Sequence, residues 1–296
     1  MSSGLTRRHV QRQESAPEET NETDPDVQDP TMPRLTLLEE VLLLGLKDEQ
    51  GHLSFWNDHI SYVLRGCILL ELALRGRIAM VKDPNRRHFE LCERMIEVIN
   101  DRNTGEMLLD ETLKLMKASE PMSVQTWIDL LSGETWNVLK LGYQLKQVRE
   151  RLAKGLVDKG ILRTEKRNFL LFDMATHPLA DRHCKEALLD RVCSSLVSRH
   201  SSPPNGTDID KVYGYLRTTT MVCSAYAANV LENALMTLDY ESREKAYAKV
   251  DELLADFSVW PLTGSGAQLQ IPDGKALSFE VIPAVLSVFT KMDSIL

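Results

Sequence analysis

Hydrophobic residues recur at helical spacing along most of the chain from residue 36 onward. Thr36 and Glu39 form the capping-box pattern that starts a helix, and we expect this helix to run through Leu46. The same periodicity predicts further helices over residues 58–75, 107–118, 123–132, 137–159, 181–199, 209–236, 240–256 and 278–292. The clearest is 137–159, where apolar residues return to one helix face. They are Leu141, Leu145, Val148, Leu152 and Leu156.

Two segments depart from this helical period. Residues 77–81 and 89–92 flank Asp83, Pro84 and Asn85, a pattern that predicts a β-hairpin. In residues 164–176, polar residues flank a Phe-Leu-Leu-Phe run that is too short for a helix, so we predict a second β-hairpin there.

The chain divides into a tail and one folded region. Residues 1–33 contain no aromatic residue and are rich in Glu, Asp, Pro, Ser and Thr, which predicts a disordered N-terminal tail. Residues 34–296 contain no internal repeat and no convincing linker. The sequence therefore predicts a mainly α fold, a single globular helical domain with a short hydrophobic β-hairpin.

Charge is distributed unevenly. The 296 residues include 35 Lys and Arg against 43 Asp and Glu, a formal net charge of −8. This balance argues against non-specific binding to nucleic acid or anionic membranes. Residues 140–167, however, hold nine basic and three acidic residues, so this segment reverses the sign of the chain. Lys146 and Arg149 are three residues apart on the predicted helix and could grip a phosphate from one face, although an ordinary solvated helix face is the more frequent explanation.

Catalytic and metal-binding patterns are not found in the sequence. No phosphate-binding glycine loop and no hydrolase or metalloprotease motif occurs. Asp181, His183 and Cys184 are near-adjacent on a predicted helix, so their side chains diverge and cannot surround one ion. We therefore expect no enzyme, no metal site and no cofactor. The first 34 residues contain no apolar run, no later segment is long enough to span a bilayer, and the five scattered cysteines are typical of reduced cytosolic thiols.

The predicted hairpin at 164–176 allows three interpretations. Lys166 and Arg167 could contact anionic headgroups while the neighbouring apolar side chains enter the acyl boundary. One face of the hairpin could instead simply pack on the core. The order of helix, Gly160-Ile161-Leu162 and basic hairpin is also that of a winged-helix nucleic-acid module, which is the alternative function.

Several blocks of residues together resemble the Golgi phosphoprotein 3 family. The likeness runs from about residue 34 to residue 292, is weakest across 257–277, and is most similar to fungal members. The blocks are Leu35–Leu46, Ser54–Asp58, Leu64–Cys67, Glu71–Gly76, Leu130–Asn137, Val148–Lys154 and Asn168–Pro178.

The resemblance implies an adaptor without known catalysis. Such a protein would bind phosphatidylinositol 4-phosphate as a peripheral protein, at the cytosolic face of the Golgi membrane and in the cytoplasm. It would link cytoplasmic tails of glycosyltransferases to the coatomer coat, for Golgi retention of these enzymes and retrograde vesicle transport. No nucleic acid is expected as a partner on this interpretation.

The resemblance also assigns residues. The family's headgroup pocket corresponds to Trp56, Arg65, Lys146 and Arg149, and we expect their replacement to leave stability nearly intact. The family's hydrophobic hairpin, for membrane insertion or for self-association into a homo-oligomer, corresponds to Asn168, Phe169, Leu170, Leu171 and Phe172. In the tail, Arg7 and Arg8 match a coatomer-binding arginine cluster, with His9 where relatives can have a further arginine.

Overall fold

The structure is a computed structural model that describes residues 34–52, 59–169, 172–198, 203–204 and 208–292, without the side chains of residues 168–174. The predicted disordered tail, with Arg7 and Arg8, lies outside the described residues. Trp56, Leu170 and Leu171 also lie outside them.

The first helix, α1 (Leu37–Gly45), lies at the centre of the described fold. It begins where the capping box predicts: Glu39 N–H donates to Thr36 Oγ1 (3.3 Å), and Thr36 N–H donates to Glu39 Oε2 (2.8 Å). All nine of its residues are buried. They are surrounded by α2 (His59–Leu74), α5 (Val148–Asp158), α6 (Arg182–Val197), α7 (Ile209–Ala227) and α8 (Leu231–Leu235).

Three buried carboxylates at α1 and α2 bind cations from distant segments. Glu39 pairs with Lys159 (2.8 Å), just beyond the end of α5. Glu40 pairs with Arg191 of α6 (2.7 Å), and Glu71 pairs with Arg217 of α7 (2.9 Å). Burial raises the pKa of Glu40, while the charges of Arg217 and Arg191 oppose that shift. Because an unpaired buried carboxylate is costly, these pairs fix how α5 and α6 meet α1 and how α7 meets α2.

The remaining helices complete a mainly α fold, as predicted. They are α3 (Met107–Lys117), α4 (Val124–Ser132), α9 (Tyr240–Phe257), α10 (Ala276–Phe279) and α11 (Val281–Met292). Helix α11 packs against α2, α4, α7 and α9. Gly66 permits the close approach of α2 to α11, because a Cβ atom there would lie 2.4 Å from the Phe289 ring.

The prediction for the first hairpin is wrong about the strand that pairs with β1. Strand β1 (Ile78–Met80) pairs antiparallel with β2 (Met95–Val98), not with residues 89–92, and β3 (Met122–Ser123) extends the sheet on the other side of β2. The Asp83 side chain accepts a hydrogen bond from Asn85 N–H (2.8 Å) and so starts a 3-10 turn over Pro84–His88. This turn and a second one at Leu91–Glu93 separate the two strands.

Three predicted helices are interrupted. The 137–159 segment is a 3-10 helix at Val138–Tyr143, a turn, and then α5. The break occurs because Gln147 has a left-handed backbone (φ 52°), and because Leu145 N–H bonds to Leu131 O (3.0 Å). The predicted 209–236 helix divides into α7 and α8 beside Asn229 (φ 54°), and the last one divides into α10 and α11.

The second predicted hairpin is confirmed. Strands β4 (Glu165–Phe169) and β5 (Phe172–Thr176) pair antiparallel, from Glu165 opposite Thr176 to Phe169 opposite Phe172. Backbone hydrogen bonds hold the base of the hairpin against the segment after α1: His177 N–H donates to Gly51 O and Leu179 N–H to Asp48 O, both at 2.9 Å.

Candidate functional site

Arg65 of α2 organises the candidate site from inside the protein. Arg65 is only 7% exposed. Its guanidinium donates hydrogen bonds to three backbone carbonyls. Nη1 donates to Ser61 O (2.7 Å), Nε to Leu131 O in the last turn of α4 (3.3 Å), and Nη2 to Leu145 O (2.9 Å). Arg65 therefore joins the two ends of the α4–α5 connection, which comprises residues 133–147.

The α4–α5 connection also closes on itself. Gly133 ends α4 with a left-handed backbone (φ 84°), and a Cβ atom at this position would lie 2.3 Å from the Gln144 side chain. The Leu145 N–H shares Leu131 O with Arg65. The left-handed backbone favours glycine at Gly133, and any Cβ atom there would also displace the Gln144 side chain. Lys146 and Gln147 follow this closed base directly.

Ser61 places Arg149 beside Arg65. Arg149 lies in the first turn of α5, and its Nε donates to Ser61 Oγ (3.0 Å). The carbonyl of the same serine accepts from Arg65. A single residue of α2 thus contacts both guanidinium groups, although the two arginines are far apart in the sequence.

The charge of Arg149 perturbs the Arg65 guanidinium. The pKa of Arg65 is lowered to about 10, first by burial and second by the charge of Arg149, while the Glu134 carboxylate acts in the opposite direction. Burial raises the pKa of Glu134 itself, and Asp129 adds to that shift. Arg65 nevertheless stays protonated at neutral pH. Two cations held at short range have unfavourable electrostatic energy that a bound anion would relieve.

Lys146 directly follows Leu145, whose carbonyl Arg65 binds, but its position differs from the prediction. It does not share a helix face with Arg149, because α5 begins only at Val148 and Lys146 lies exposed in the preceding turn. Within the described part of the chain, the N-cap residue Gln147 makes no capping hydrogen bond through its side chain. The positive end of the α5 dipole therefore adds to the charges of Lys146 and Arg149.

Sequence reasoning missed several residues that build this site. Ser61 carries no sequence signal for its bridging role. Tyr62 donates to Asp129 (2.6 Å) and accepts from Gln125 (2.7 Å), which fixes α2 against α4. The helix-ending Gly133 and the capping Asn137 were the available signals that the 137–159 segment begins in a loop.

The other sequence candidates have different outcomes. The backbone of Asn168, Phe169 and Phe172 lies in the β4–β5 hairpin, and Leu170 and Leu171 lie outside the described residues. Asp181 caps α6 by accepting from Cys184 N–H (3.0 Å). Across the residues described, His, Cys, Asp and Glu form no group of three or more that could hold a metal ion.

None of the described helices combines the length and the apolar character needed to span a membrane.

A cleft elsewhere in the described fold is less suited to an anion. It has a volume of about 340 Å³ and lies between α1, the start of α3 and α5. Two cations that line it are already bound to carboxylates: Lys159 to Glu39 (2.8 Å) and Glu106 (2.7 Å), and Arg151 to Glu111 (2.5 Å). The cluster of Arg65, Lys146 and Arg149 is thus the better candidate for an anionic ligand.

Comparison with known proteins identifies the family. The family model described as Golgi phosphoprotein 3 (GPP34) matches residues 37–267. The chain belongs to this family. It is 58% identical over 280 residues to vacuolar protein sorting-associated protein 74 of Schizosaccharomyces pombe, covering 89% of this chain and 83% of that relative. Its identity to the protein of the same name from Eremothecium gossypii is 53% over 281 residues, covering 89% and 85%.

The family resemblance predicted from the sequence is therefore confirmed, including its fungal character. Family membership supports a Golgi-associated adaptor role connected with vesicle transport. The site residues themselves stay a prediction.

The burial of Arg65 reverses the expectation that it can be replaced without loss of stability. We expect Arg65→Ala to lower the free energy of unfolding by about 2–4 kcal/mol, because it removes three hydrogen bonds and a buried side chain. Arg149→Ala, in a half-buried position, should cost below about 1 kcal/mol. Urea denaturation followed by circular dichroism measures both values. Equal free energies of unfolding for the two variants would contradict the role of Arg65 in joining the two ends of the α4–α5 connection.

Proposed function

We propose that this protein is a peripheral adaptor of the Golgi membrane that binds phosphatidylinositol 4-phosphate and links glycosyltransferase tails to the coatomer coat. The observation that carries the lipid-binding part is the contact of Arg65 and Arg149 with the same serine, Ser61. This contact brings cations from α2 and α5 together beside Lys146. Family membership supports the Golgi setting.

The cations differ in what they offer a phosphate group. A phosphate monoester carries a charge of about −1.5 to −2 at neutral pH, which two or three cations balance. Arg149 supplies a planar fork, and Lys146 supplies an exposed point charge. Arg65 already donates three of its five N–H groups to backbone carbonyls. It would therefore act mainly through its charge and through its hydrogen bond to Leu145 O, directly before Lys146.

Other parts of the proposal rest on the family alone. Trp56 would lie at the rim of the headgroup pocket, where an indole is favoured at headgroup depth. The β4–β5 hairpin would insert Phe169 and Leu170 into the membrane or mediate self-association. Arg7 and Arg8 would engage coatomer, and a surface of the folded domain would bind glycosyltransferase tails.

The lipid proposal is tested with the paired variant Lys146→Ala/Arg149→Ala. We expect at least about 100-fold weaker binding to phosphatidylcholine vesicles that contain phosphatidylinositol 4-phosphate, because two charge-assisted contacts of about 1.5–3 kcal/mol each are lost. Vesicle flotation and titration of the soluble headgroup, inositol 1,4-bisphosphate, measure the effect.

Lys211→Ala/Lys245→Ala is the matched control, since it removes the same charge from exposed positions on α7 and α9. This control should bind within about twofold of the unmodified protein, because distant exposed charges are screened. Equal binding by the Lys146/Arg149 variant would refute the pocket assignment. A steeply salt-dependent affinity for DNA or RNA, without preference among phosphoinositides, would instead favour the nucleic-acid alternative.

The hairpin proposal is tested with Phe169→Ser/Leu170→Ser. If these side chains enter the bilayer, the variant should bind vesicles about tenfold or more weakly but capture the soluble headgroup normally, since apolar insertion contributes only with a bilayer. Sedimentation equilibrium on the same variant shows whether self-association is lost instead. Loss of headgroup capture would mean that the hairpin has a structural role.

The coatomer proposal is tested with Arg7→Ala/Arg8→Ala in the full chain. We expect this variant to lose capture of purified coatomer while vesicle binding persists, because the two arginines would contact the coat and not the lipid. Undiminished coatomer capture would remove these residues from the proposal.

A further inference from the structure

The 3-10 helix in the α4–α5 connection and Trp136 just before it expose a group of large apolar side chains. Trp136 is fully exposed (104%), Leu139 is 90% exposed, Val138 is 76% exposed and Leu141 is 45% exposed. Single exposed apolar residues are common on proteins, but four within six consecutive residues form a patch of the kind that marks an interaction site. We call these four residues the apolar tip.

The backbone of the apolar tip is held in place without burying its side chains. Asn137 Oδ1 accepts from Leu139 N–H (3.0 Å), and Asn137 N–H donates to Thr135 Oγ1 (3.2 Å). Beyond the tip, Tyr143 packs edge-on against Trp127, and its hydroxyl lies 3.0 Å from Ser119 Oγ. The segment is therefore anchored at Tyr143 while the residues before it face solvent. In a 3-10 helix, residues three apart share one side, which places Val138 and Leu141 together.

The base of the same connection is the cationic cluster. Arg65 donates to the carbonyls of Leu131 and Leu145, which close the connection. Leu145 lies four positions after Leu141, so at most about 14 Å of chain joins this end of the apolar tip to the residue before Lys146. Lys140 lies between Leu139 and Leu141 of the tip. Apolar side chains and cations thus occur in one short connection.

The combination of exposed apolar side chains and nearby cations favours a lipid bilayer as the ligand of the apolar tip. An exposed tryptophan with neighbouring aliphatic side chains suits the boundary between headgroups and acyl chains, where indole rings are favoured. The adjacent cations suit anionic headgroups, and apolar insertion beside them adds to membrane affinity. A soluble protein partner would explain the exposed apolar side chains but would not explain the cations at the base of the connection.

We propose that the apolar tip of the α4–α5 connection inserts into the lipid bilayer when the cations at its base bind an anionic headgroup. The inference rests on the proposed lipid-binding function and adds a second membrane contact to the predicted hairpin. Arg65 couples the two events, because the guanidinium that faces Arg149 also fixes both ends of the connection. Lipid insertion would then contribute affinity that salt does not screen.

The test compares Trp136→Ser/Leu139→Ser with a matched control, Met236→Ser/Tyr240→Ser, which also replaces two exposed apolar side chains (66% and 79% exposed). On vesicles of phosphatidylcholine with phosphatidylinositol 4-phosphate, the tip variant should bind about 10- to 100-fold more weakly than the control. Its affinity for soluble inositol 1,4-bisphosphate and its thermal unfolding should equal those of the control, because the replaced side chains are exposed.

A second measurement uses the fluorescence of the full chain. On the same vesicles, brominated lipids should quench a blue-shifted emission component that the Trp136→Phe variant lacks. Unchanged vesicle affinity of the tip variant together with unquenched Trp136 would overturn the inference. Loss of concentration-dependent self-association in the tip variant, with normal vesicle affinity, would assign the patch to a second copy of the chain and also overturn it.

The same vesicles separate the inference from the function on which it rests. If the unmodified protein binds phosphatidylinositol vesicles as tightly as those with the 4-phosphate, headgroup recognition fails. Quenching of Trp136 on both vesicles would then still support insertion of the tip. Selective binding to the 4-phosphate without quenching would retain the function and refute the insertion.

Discussion

The buried carboxylates of α1 and α2 are the constraint on which the described fold depends. Glu39, Glu40 and Glu71 lie away from water, where an unpaired charge costs several kcal/mol. Each is matched by a cation from a distant part of the chain: Lys159, Arg191 and Arg217. The segments that carry these cations pack on α1 and α2 where the pairs form. Apolar contacts alone would permit many more arrangements of the same helices.

This constraint reaches the candidate site through α5. Lys159, just past the end of α5, binds Glu39, and Arg65 binds the carbonyl of Leu145, shortly before α5 begins. The helix is thus fixed at both ends by groups buried in the core. Arg149 is held near Arg65 before any ligand arrives, so the repulsion between them is built in by folding. Preorganisation of this kind lowers the entropic cost of binding a phosphate.

On the two proposals, the cationic site and the apolar tip would divide membrane recognition between two kinds of interaction. Cations at the base of the α4–α5 connection would select an anionic headgroup, and apolar side chains would add affinity that does not depend on salt. The acidic balance of the whole chain, −8, disfavours indiscriminate adhesion to anionic surfaces. A local cluster of opposite sign would therefore discriminate between membranes where a generally basic protein would not.

Features that depend on near neighbours along the chain follow from the amino-acid sequence alone. The capping box at Thr36 and Glu39 and the hairpin at 165–176 need only residues a few positions apart, and both occur as predicted. The family resemblance named Arg65, Lys146 and Arg149 through local motifs. Tertiary structure decided the partner of β1, the break before α5, the burial of Arg65 and the exposure of Trp136. Each depends on contacts across tens of residues, such as Leu145 with Leu131 and Arg65, and no periodicity along the chain encodes such contacts.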